Sequence, residues 1–231
     1  MRIASRKRST RWSTNALSRH YGRSLAASPA SFQKPEDMPR IARDSLLSLE
    51  AYAKARNEFR AKVIAHKKER TVHLGEHVTL IFEDELTIRY QVQEMLRIEK
   101  TFEEAGIQEE LDVYNPLVPD GDNFKATMMI EYPDVAERAR MLAKMKGIED
   151  RVWVQAEGCG KVFAIADEDL PRENAEKTAA VHFLRFQLDD ETRKSLEYGV
   201  SLTVGVDHPV YSATEDPLGP QVRASLVGDL A

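Results

Sequence analysis

The sequence contains a single cysteine, Cys159, which excludes an internal disulfide bond and any zinc or iron–sulfur site built from several cysteines. Long hydrophobic runs are also missing, since no stretch approaches the roughly 18 consecutive apolar residues of a transmembrane helix. No hydrophobic secretory segment follows the basic start. We therefore expect a soluble protein of the reducing cytoplasm that makes no contact with a membrane.

Acidic side chains are absent from residues 1–35, which hold eight Lys or Arg residues. The rest of the chain carries the other 25 basic and all 38 acidic side chains, a net charge of −13. Because phosphate binding requires concentrated positive charge, this acidic body does not have the composition of a nucleic-acid-binding protein. Its apolar and charged fractions are typical of a globular domain that buries a core.

Residues 1–37 form a leader rich in Arg and Ser, which we expect to be disordered because it shows no helical or strand period. Three interpretations stay open: a start codon assigned too early, an organelle transit peptide, or a basic arm for nucleic acid or anionic lipid. We favour the first, with translation beginning at Met38, because the residues that follow lead directly into a helix signal. The third predicts salt-sensitive nucleic-acid binding that disappears when the leader is deleted.

The body, residues 38–211, shows helix and strand signals without an internal repeat or linker. Helices are predicted from the N-cap Asp44 to about residue 68, from residue 84 to Gly106, over residues 133–146, and in a short segment that ends at Gly199. Strands are predicted at residues 71–74, 78–82, 125–132, 151–157, 161–167, 178–188 and 200–207. A strand over residues 86–92 competes with the second helix, because apolar residues also alternate there.

Strands outnumber helices, and short turns join several of them. We therefore predict an α+β fold with one mostly antiparallel sheet of about five to seven strands, flanked by three to four helices, in a single domain. Two-residue alternation places Met128, Leu184 and Val204 on buried faces. Residues 212–231 contain two prolines, two glycines and few apolar residues, so we expect a mobile tail.

Two side chains are candidate proton carriers in a catalytic site: Glu94 on the second helix and His182 on the strand 178–188. If that helix meets the sheet, the polar groups expected around them for binding, including binding of an anion, are Tyr90, Arg97, Arg185, Asp207 and His208. A lone imidazole on an apolar strand face is more often a core histidine with satisfied hydrogen bonds than a catalytic group. Both interpretations of His182 stay open.

No metal site or cofactor is predicted. His66, His73 and His77 lie near the first hairpin, but nothing in the sequence directs their side chains to one point. The acidic run Asp167-Glu168-Asp169 lacks the spacing of a calcium loop, so it is interpreted as an acidic loop. Cys159, between two glycines, is expected to be exposed at a hairpin tip. Phosphate-binding loops, Gly-x-Ser-x-Gly elbows and HExxH motifs are all missing from the sequence.

The body resembles a bacterial family of uncharacterised proteins, the domain of unknown function 3501, over residues 39–211. The segments that carry the resemblance are residues 89–99 (RYQVQEMLRIE), 110–121 (ELDVYNPLVPDG), 125–131 (KATMMIE) and 181–186 (VHFLRF). The family has no established activity, so it implies no catalytic residues. Its members are often encoded beside a rubrerythrin-type di-iron protein and an iron–sulfur oxidoreductase, which implies a context of oxidative stress or redox metals.

Two functional hypotheses follow. The first is a non-enzymatic accessory or binding protein that contacts a rubrerythrin-type or iron–sulfur partner through its acidic surface. The second is a small enzyme or anion-binding protein whose site lies between the helix that carries Tyr90 and Arg97 and the strand that carries His182 and Arg185. We favour the first, because the chain lacks catalytic motifs. The sequence leaves the oligomeric state open.

Overall fold

The computed structural model describes residues 41–168 and 176–230, which belong to one compact unit. The predicted leader lies outside these residues. The α-helices are α1 (Leu49–Lys68), α2 (Glu85–Glu99), α3 (Glu104–Tyr114), α4 (Val135–Lys144), α5 (Asp190–Glu197) and α6 (Pro220–Val227). The strands are β1 (Thr71–Leu74), β2 (Val78–Phe82), β3 (Asn123–Ile130), β4 (Val152–Ala156), β5 (Val162–Phe163), β6 (Ile165–Ala166), β7 (Val181–Gln187), β8 (Leu202–His208) and β9 (Tyr211–Glu215).

The strands form two sheets, in the orders β1-β2-β3-β7-β6 and β5-β4-β8-β9, and every pairing is antiparallel. The predicted α+β class and antiparallel pairing are confirmed. The prediction of one sheet is wrong, because β4 and β9 both pair with β8 and none of these three strands pairs with β1, β2, β3 or β7. The strand expected at residues 161–167 is interrupted at Ala164. Its first half, β5, pairs with β4, and its second half, β6, pairs with β7. This short segment therefore connects the edges of both sheets.

One hydrophobic core takes side chains from both sheets, together with residues of α4, α5 and α6. Met128, Leu184 and Val204 are buried in it, as alternation predicts. In β3, however, the polar side chains of the opposite face are buried as well. Lys125 donates to the carbonyl oxygens of Pro116 and Val118, both at 2.8 Å, because the connection before β3 folds over this face. Strict alternation of buried and exposed residues therefore fails in β3.

A second, separate hydrophobic cluster lies between α2, α3 and the segment before α1. Its buried residues are Ile41, Leu46, Ile88, Val92, Met95, Leu96, Ile107, Leu111, Tyr114 and Val118. The helix predicted up to Gly106 is two helices, because Lys100 takes a left-handed conformation (φ 56°) that ends α2. Gly106 lies inside α3. The competing strand over residues 86–92 is not formed.

The start of the first helix differs from the prediction, and the start of the second agrees with it. Helix α1 begins at Leu49, since the Ser48 side chain accepts a hydrogen bond from the backbone N–H of Ala51, whereas Asp44 lies in a 3₁₀ turn. The α2 start is confirmed: Asp84 caps the helix by accepting from the N–H of Thr87 at 2.9 Å. In the described part of the chain, no helix has the length and apolar character needed to cross a membrane.

The predicted mobile tail is instead ordered into β9, which pairs with β8, and α6. Leu218 and Leu226 of this segment are buried in the main core. Arg70, only 1% exposed, donates to the backbone oxygen of Ser225 at 3.1 Å and forms an ion pair with Asp229. The sequence prediction fails here because the few apolar residues of the tail meet a core assembled by distant strands.

Candidate functional site

A buried polar cluster lies where β6 and β7 meet the 3₁₀ turn Glu149–Arg151 that precedes β4. His182 extends from β7 and is fully buried, while the side chains of Asp167 and Glu149 are each 8% exposed. Thr178, in the connection that enters β7, is 1% exposed. The cluster therefore brings residues from three separate parts of the chain into one nearly solvent-free position.

The imidazole of His182 has polar partners at both nitrogen atoms. Its Nδ1 lies 2.6 Å from Asp167 Oδ2, and its Nε2 lies 2.9 Å from Thr178 Oγ1 and 3.1 Å from the carbonyl oxygen of Ala179. Thr178 donates its hydroxyl proton to Glu149 Oε2 at 3.1 Å. That carboxylate oxygen is 3.8 Å from His182 Nε2. The four side chains therefore form one continuous hydrogen-bonded group.

Asp167 is held in place by its backbone. It follows β6 directly and has a φ of 48°, a left-handed conformation that Asp adopts more readily than most residues. Its N–H donates to the carbonyl of Phe183 at 2.9 Å, and its Oδ1 accepts the N–H of Phe183 at 3.0 Å. These two bonds fix the carboxylate beside the ring of His182.

Three members of this group carry side chains of the types that ligate metal ions. One donor atom each from Glu149, Asp167 and His182 lie within 4.8 Å of one another. A histidine that binds a metal through one ring nitrogen usually donates its other N–H to a carboxylate, which is the relation that Asp167 has to Nδ1. The Nε2 atom then faces the Glu149 carboxylate and the Thr178 hydroxyl, both oxygen donors.

A second polar cluster surrounds Glu94 on α2. The Glu94 carboxylate, 2% exposed, accepts hydrogen bonds from Tyr52 at 2.7 Å, from Arg56 at 2.7 and 2.8 Å, and from Arg97 at 3.3 Å. Burial raises the pKa of Glu94, but the hydrogen bonds from Arg56, Arg97 and Tyr52 outweigh it and lower the pKa to about 2. A group that stays ionised at neutral pH does not suit the predicted role of proton carrier.

The seven predicted site residues do not converge, which corrects the expectation of one site between helix and sheet. Glu94 and Arg97 share one network, and Tyr90 of the same helix packs its ring against Phe59 at 5.9 Å. His182 belongs to the buried cluster on β7. The remaining three have other partners: Arg185 pairs with Glu168, Asp207 pairs with Lys161, and His208 Nε2 bonds the carbonyl of Lys146.

The separation has a physical cause. Helix α2 buries its apolar side in the second hydrophobic cluster, whereas the His182 side of β7 faces the turn before β4. Arg185 shares the opposite sheet face with Lys125.

The three histidines near the first hairpin also have separate partners. His66 pairs with Asp84, His73 Nδ1 lies 3.1 Å from Thr79 Oγ1, and the ring of His77 stacks on Tyr132. Cys159 is partly buried rather than exposed, with its Sγ 3.7 Å from the hydroxyl oxygen of Ser195.

Sequence reasoning missed Glu149 and Thr178 as site residues and interpreted Asp167 as an acidic loop. The only local signal is that Thr178 and His182 are four residues apart, close to the predicted strand's start. Glu149 is 29 residues from Thr178, and Asp167 is 15 from His182. No sequence spacing predicts that these residues are close together. They are close because β5 pairs with β4 in one sheet and β6 pairs with β7 in the other.

Residues 40–230 match the family described as "Protein of unknown function (DUF3501)". The chain belongs to the DUF3501 family. A solved structure is also similar to this DUF3501 protein: a novel protein of unknown function from Burkholderia pseudomallei K96243, with 56% sequence identity and a TM-score of 0.80. The similarity covers 84% of this chain and 100% of that one. Comparison with curated proteins gives no match.

Proposed function

We propose that this DUF3501 protein binds a divalent first-row transition metal ion at His182 and Glu149, with Asp167 orienting the imidazole through its Nδ1 atom, and acts as an accessory protein in a redox-metal pathway. The observation that carries the proposal is the convergence of Glu149, Asp167 and His182 at a buried position, with one nitrogen or carboxylate oxygen atom of each within 4.8 Å of the others. Their proximity depends on strand pairing between distant segments, so it is a feature of the folded protein alone.

The donor set selects among metals. Imidazole nitrogen suits Fe²⁺ and Zn²⁺, and carboxylate oxygen suits Mn²⁺, whereas Cu⁺ prefers thiolate or thioether sulfur. Around Nε2 the cluster offers the imidazole, the Glu149 carboxylate and the Thr178 hydroxyl, with no sulfur. Fe²⁺, Mn²⁺ and Zn²⁺ are therefore the ions that this site would take.

Burial supports a binding role in preference to catalysis. His182 is fully buried and the two carboxylates are nearly so, and the cluster therefore presents almost no surface that an organic substrate could contact. An ion held there would link the two sheets. It would connect the turn before β4, a strand of the four-stranded sheet, to β7 of the five-stranded sheet. The resemblance to a family encoded beside rubrerythrin-type and iron–sulfur proteins supports such a partner, contacted through the acidic surface.

Metal titration of the purified protein tests the site. We expect one equivalent of Fe²⁺, Mn²⁺ or Zn²⁺ to bind, and Glu149→Gln and His182→Ala each to weaken binding at least tenfold by calorimetry under anaerobic conditions. His73→Ala is the matched control, since it removes an imidazole that bonds only Thr79 in the described structure. If Glu149→Gln, which preserves side-chain volume, binds metal as the unsubstituted protein does, the proposal is wrong.

The accessory role has its own test. Affinity purification of the tagged protein under peroxide stress should recover a rubrerythrin-type or iron–sulfur protein, and His182→Ala should recover less of it. If the tagged protein is recovered with its metal bound but without such a partner, the accessory role is wrong. The proposal of a metal site would still stand.

A further inference from the structure

Three arginines lie on the helix pair α1 and α2 around Glu94 and Tyr90. Arg56 and Arg97 bond the buried carboxylate of Glu94 directly, and Arg60, one turn after Arg56, interacts electrostatically with Tyr90. The arginine side chains reach solvent, at 29% exposure for Arg56 and 36% for Arg97, while Glu94 lies beneath them. One negative and three positive charges leave a net charge of +2 at this surface.

That excess is unusual for this protein, because the chain outside its basic first 35 residues has a net charge of −13. Arg56 and Arg60 are four residues apart on α1, where two like charges repel each other and weaken the helix. The single carboxylate of Glu94 pairs with both Arg56 and Arg97, so it faces two guanidinium groups with one negative charge. Among the described residues, Arg60 forms no ion pair that would balance the third positive charge.

The geometry of the two inner arginines leaves donors available. Arg56 and Arg97 each contact Glu94 through Nε and Nη2. In the described part of the chain, no hydrogen bond from Nη1 of either residue to another group is found. The Arg97 contacts, at 3.3 Å, are also longer than the usual charge-assisted hydrogen bond. Glu94 thus orients both guanidinium groups without using all of their N–H donors.

We propose that Arg56, Arg60 and Arg97 form a binding site for a phosphate-type dianion, with Glu94 as the positioning residue that holds two of the guanidinium groups. Arginine suits this ligand because its planar fork donates two parallel hydrogen bonds to a phosphate group. A dianion matches the net charge of +2. The rings of Tyr90, Phe59 and Tyr52, with successive centroids 5.9 and 6.2 Å apart, form an aromatic row beside the arginines. The site shares no residue with the proposed metal site.

The test is titration of the full protein with inorganic phosphate and, separately, with phenyl phosphate, at constant ionic strength, followed by NMR or calorimetry. We expect binding of at least one of the two, with Arg97→Gln weakening it at least tenfold. Arg89→Gln is the matched control, because it changes the same charge on the same helix at a residue paired with Glu85. It should leave phosphate affinity unchanged.

Arg60→Gln is a second variant that should fold normally, because the Arg60 side chain is exposed. No hydrogen bond between Arg60 and Glu94 is found among the described residues. Arg60→Gln should weaken phosphate binding severalfold at an unchanged melting temperature. Tighter binding of phenyl phosphate than of inorganic phosphate would identify a phosphate ester as the ligand, and the reverse the free ion. Absence of binding at millimolar phosphate, or equal losses in Arg97→Gln and Arg89→Gln, would overturn the proposal.

Discussion

Gly205 of β8 lies directly opposite Trp153 of β4, and its lack of a side chain is what lets the indole ring lie against the strand. A Cβ atom at this position would be 2.3 Å from Trp153 Cζ2 and 2.6 Å from Cε2. The ammonium group of Lys161 covers the same ring, 3.8 Å from its centroid, and also pairs with Asp207. One glycine therefore determines the packing of a whole side-chain group on this sheet.

Gly205→Ala is expected to destabilise the protein by about 1–3 kcal/mol, because the added methyl group must displace Trp153, a residue that is only 3% exposed, or bend β8. Urea denaturation measures the change. Gly160→Ala is the control, since no atom lies within 4 Å of the Cβ it would gain. Equal stabilities for the two variants would show that the Trp153 ring moves aside at little cost.

Individual helices show which local signals can be trusted. Asp84 caps the start of α2, as the sequence predicts. This prediction succeeds because a capping side chain bonds to a backbone group within its own turn. The end of α2 at Lys100 has no glycine to mark it, and the glycine that does follow, Gly106, lies in α3. A left-handed lysine is tolerated here because it directs α3 back onto α2, where both bury their apolar sides in one cluster.

Helix α3 also contains a carboxyl group whose ionisation opposes folding. Burial, followed by repulsion from Glu99 and Glu109, raises the pKa of Glu110 to about 7. Since this value lies above the ordinary 4.5, the folded state binds the proton more tightly than the unfolded state does. The contribution of Glu110 to stability therefore falls as the pH rises from about 4.5 to 7, and the full penalty remains above pH 7.

Glu110→Gln removes that penalty. We expect it to raise the free energy of unfolding by about 1 kcal/mol at pH 8, a figure reduced for the partial exposure of the group, and to change nothing near pH 4.5. Denaturation curves at the two pH values measure the difference. As a control, Glu109→Gln replaces the exposed neighbour and should raise the free energy of unfolding at pH 8 by a smaller amount. If Glu110→Gln raises the free energy of unfolding equally at pH 4.5 and pH 8, this explanation is wrong.

At the scale of the whole molecule, the C-terminal segment packs against the residue that precedes β1 and against the main core. Arg70, immediately before β1, is buried against α6 and donates to the carbonyl oxygens of Phe82 and Glu83 as well as to Ser225. Leu226 of α6 is fully buried in the main core. The C-terminal segment is thus part of the domain, in agreement with the family match, which extends to residue 230.

A chain that ends at Asp216 is expected to unfold at much lower temperature or not to fold, because it loses two buried leucines and leaves the Arg70 guanidinium buried without Asp229. Circular dichroism melting tests this. Leu226→Ala isolates the packing contribution and should cost about 2–5 kcal/mol. If the truncated chain has the same melting temperature as the intact protein, the C-terminal segment contributes no stability and the interpretation of a mobile tail is correct.

The sequence by itself determined the α+β class, the antiparallel pairing and the inward direction of Met128, Leu184 and Val204, and its segments placed the chain in its family. These properties depend on alternation, caps and turns, which act between residues a few positions apart. Only the tertiary structure decided that there are two sheets and two hydrophobic clusters, that the tail is ordered, and that Glu149, Asp167 and His182 meet. The physical reason is that each of these depends on which distant segments pack together, and a short strand such as β5 or β6 has too few residues to signal its partner.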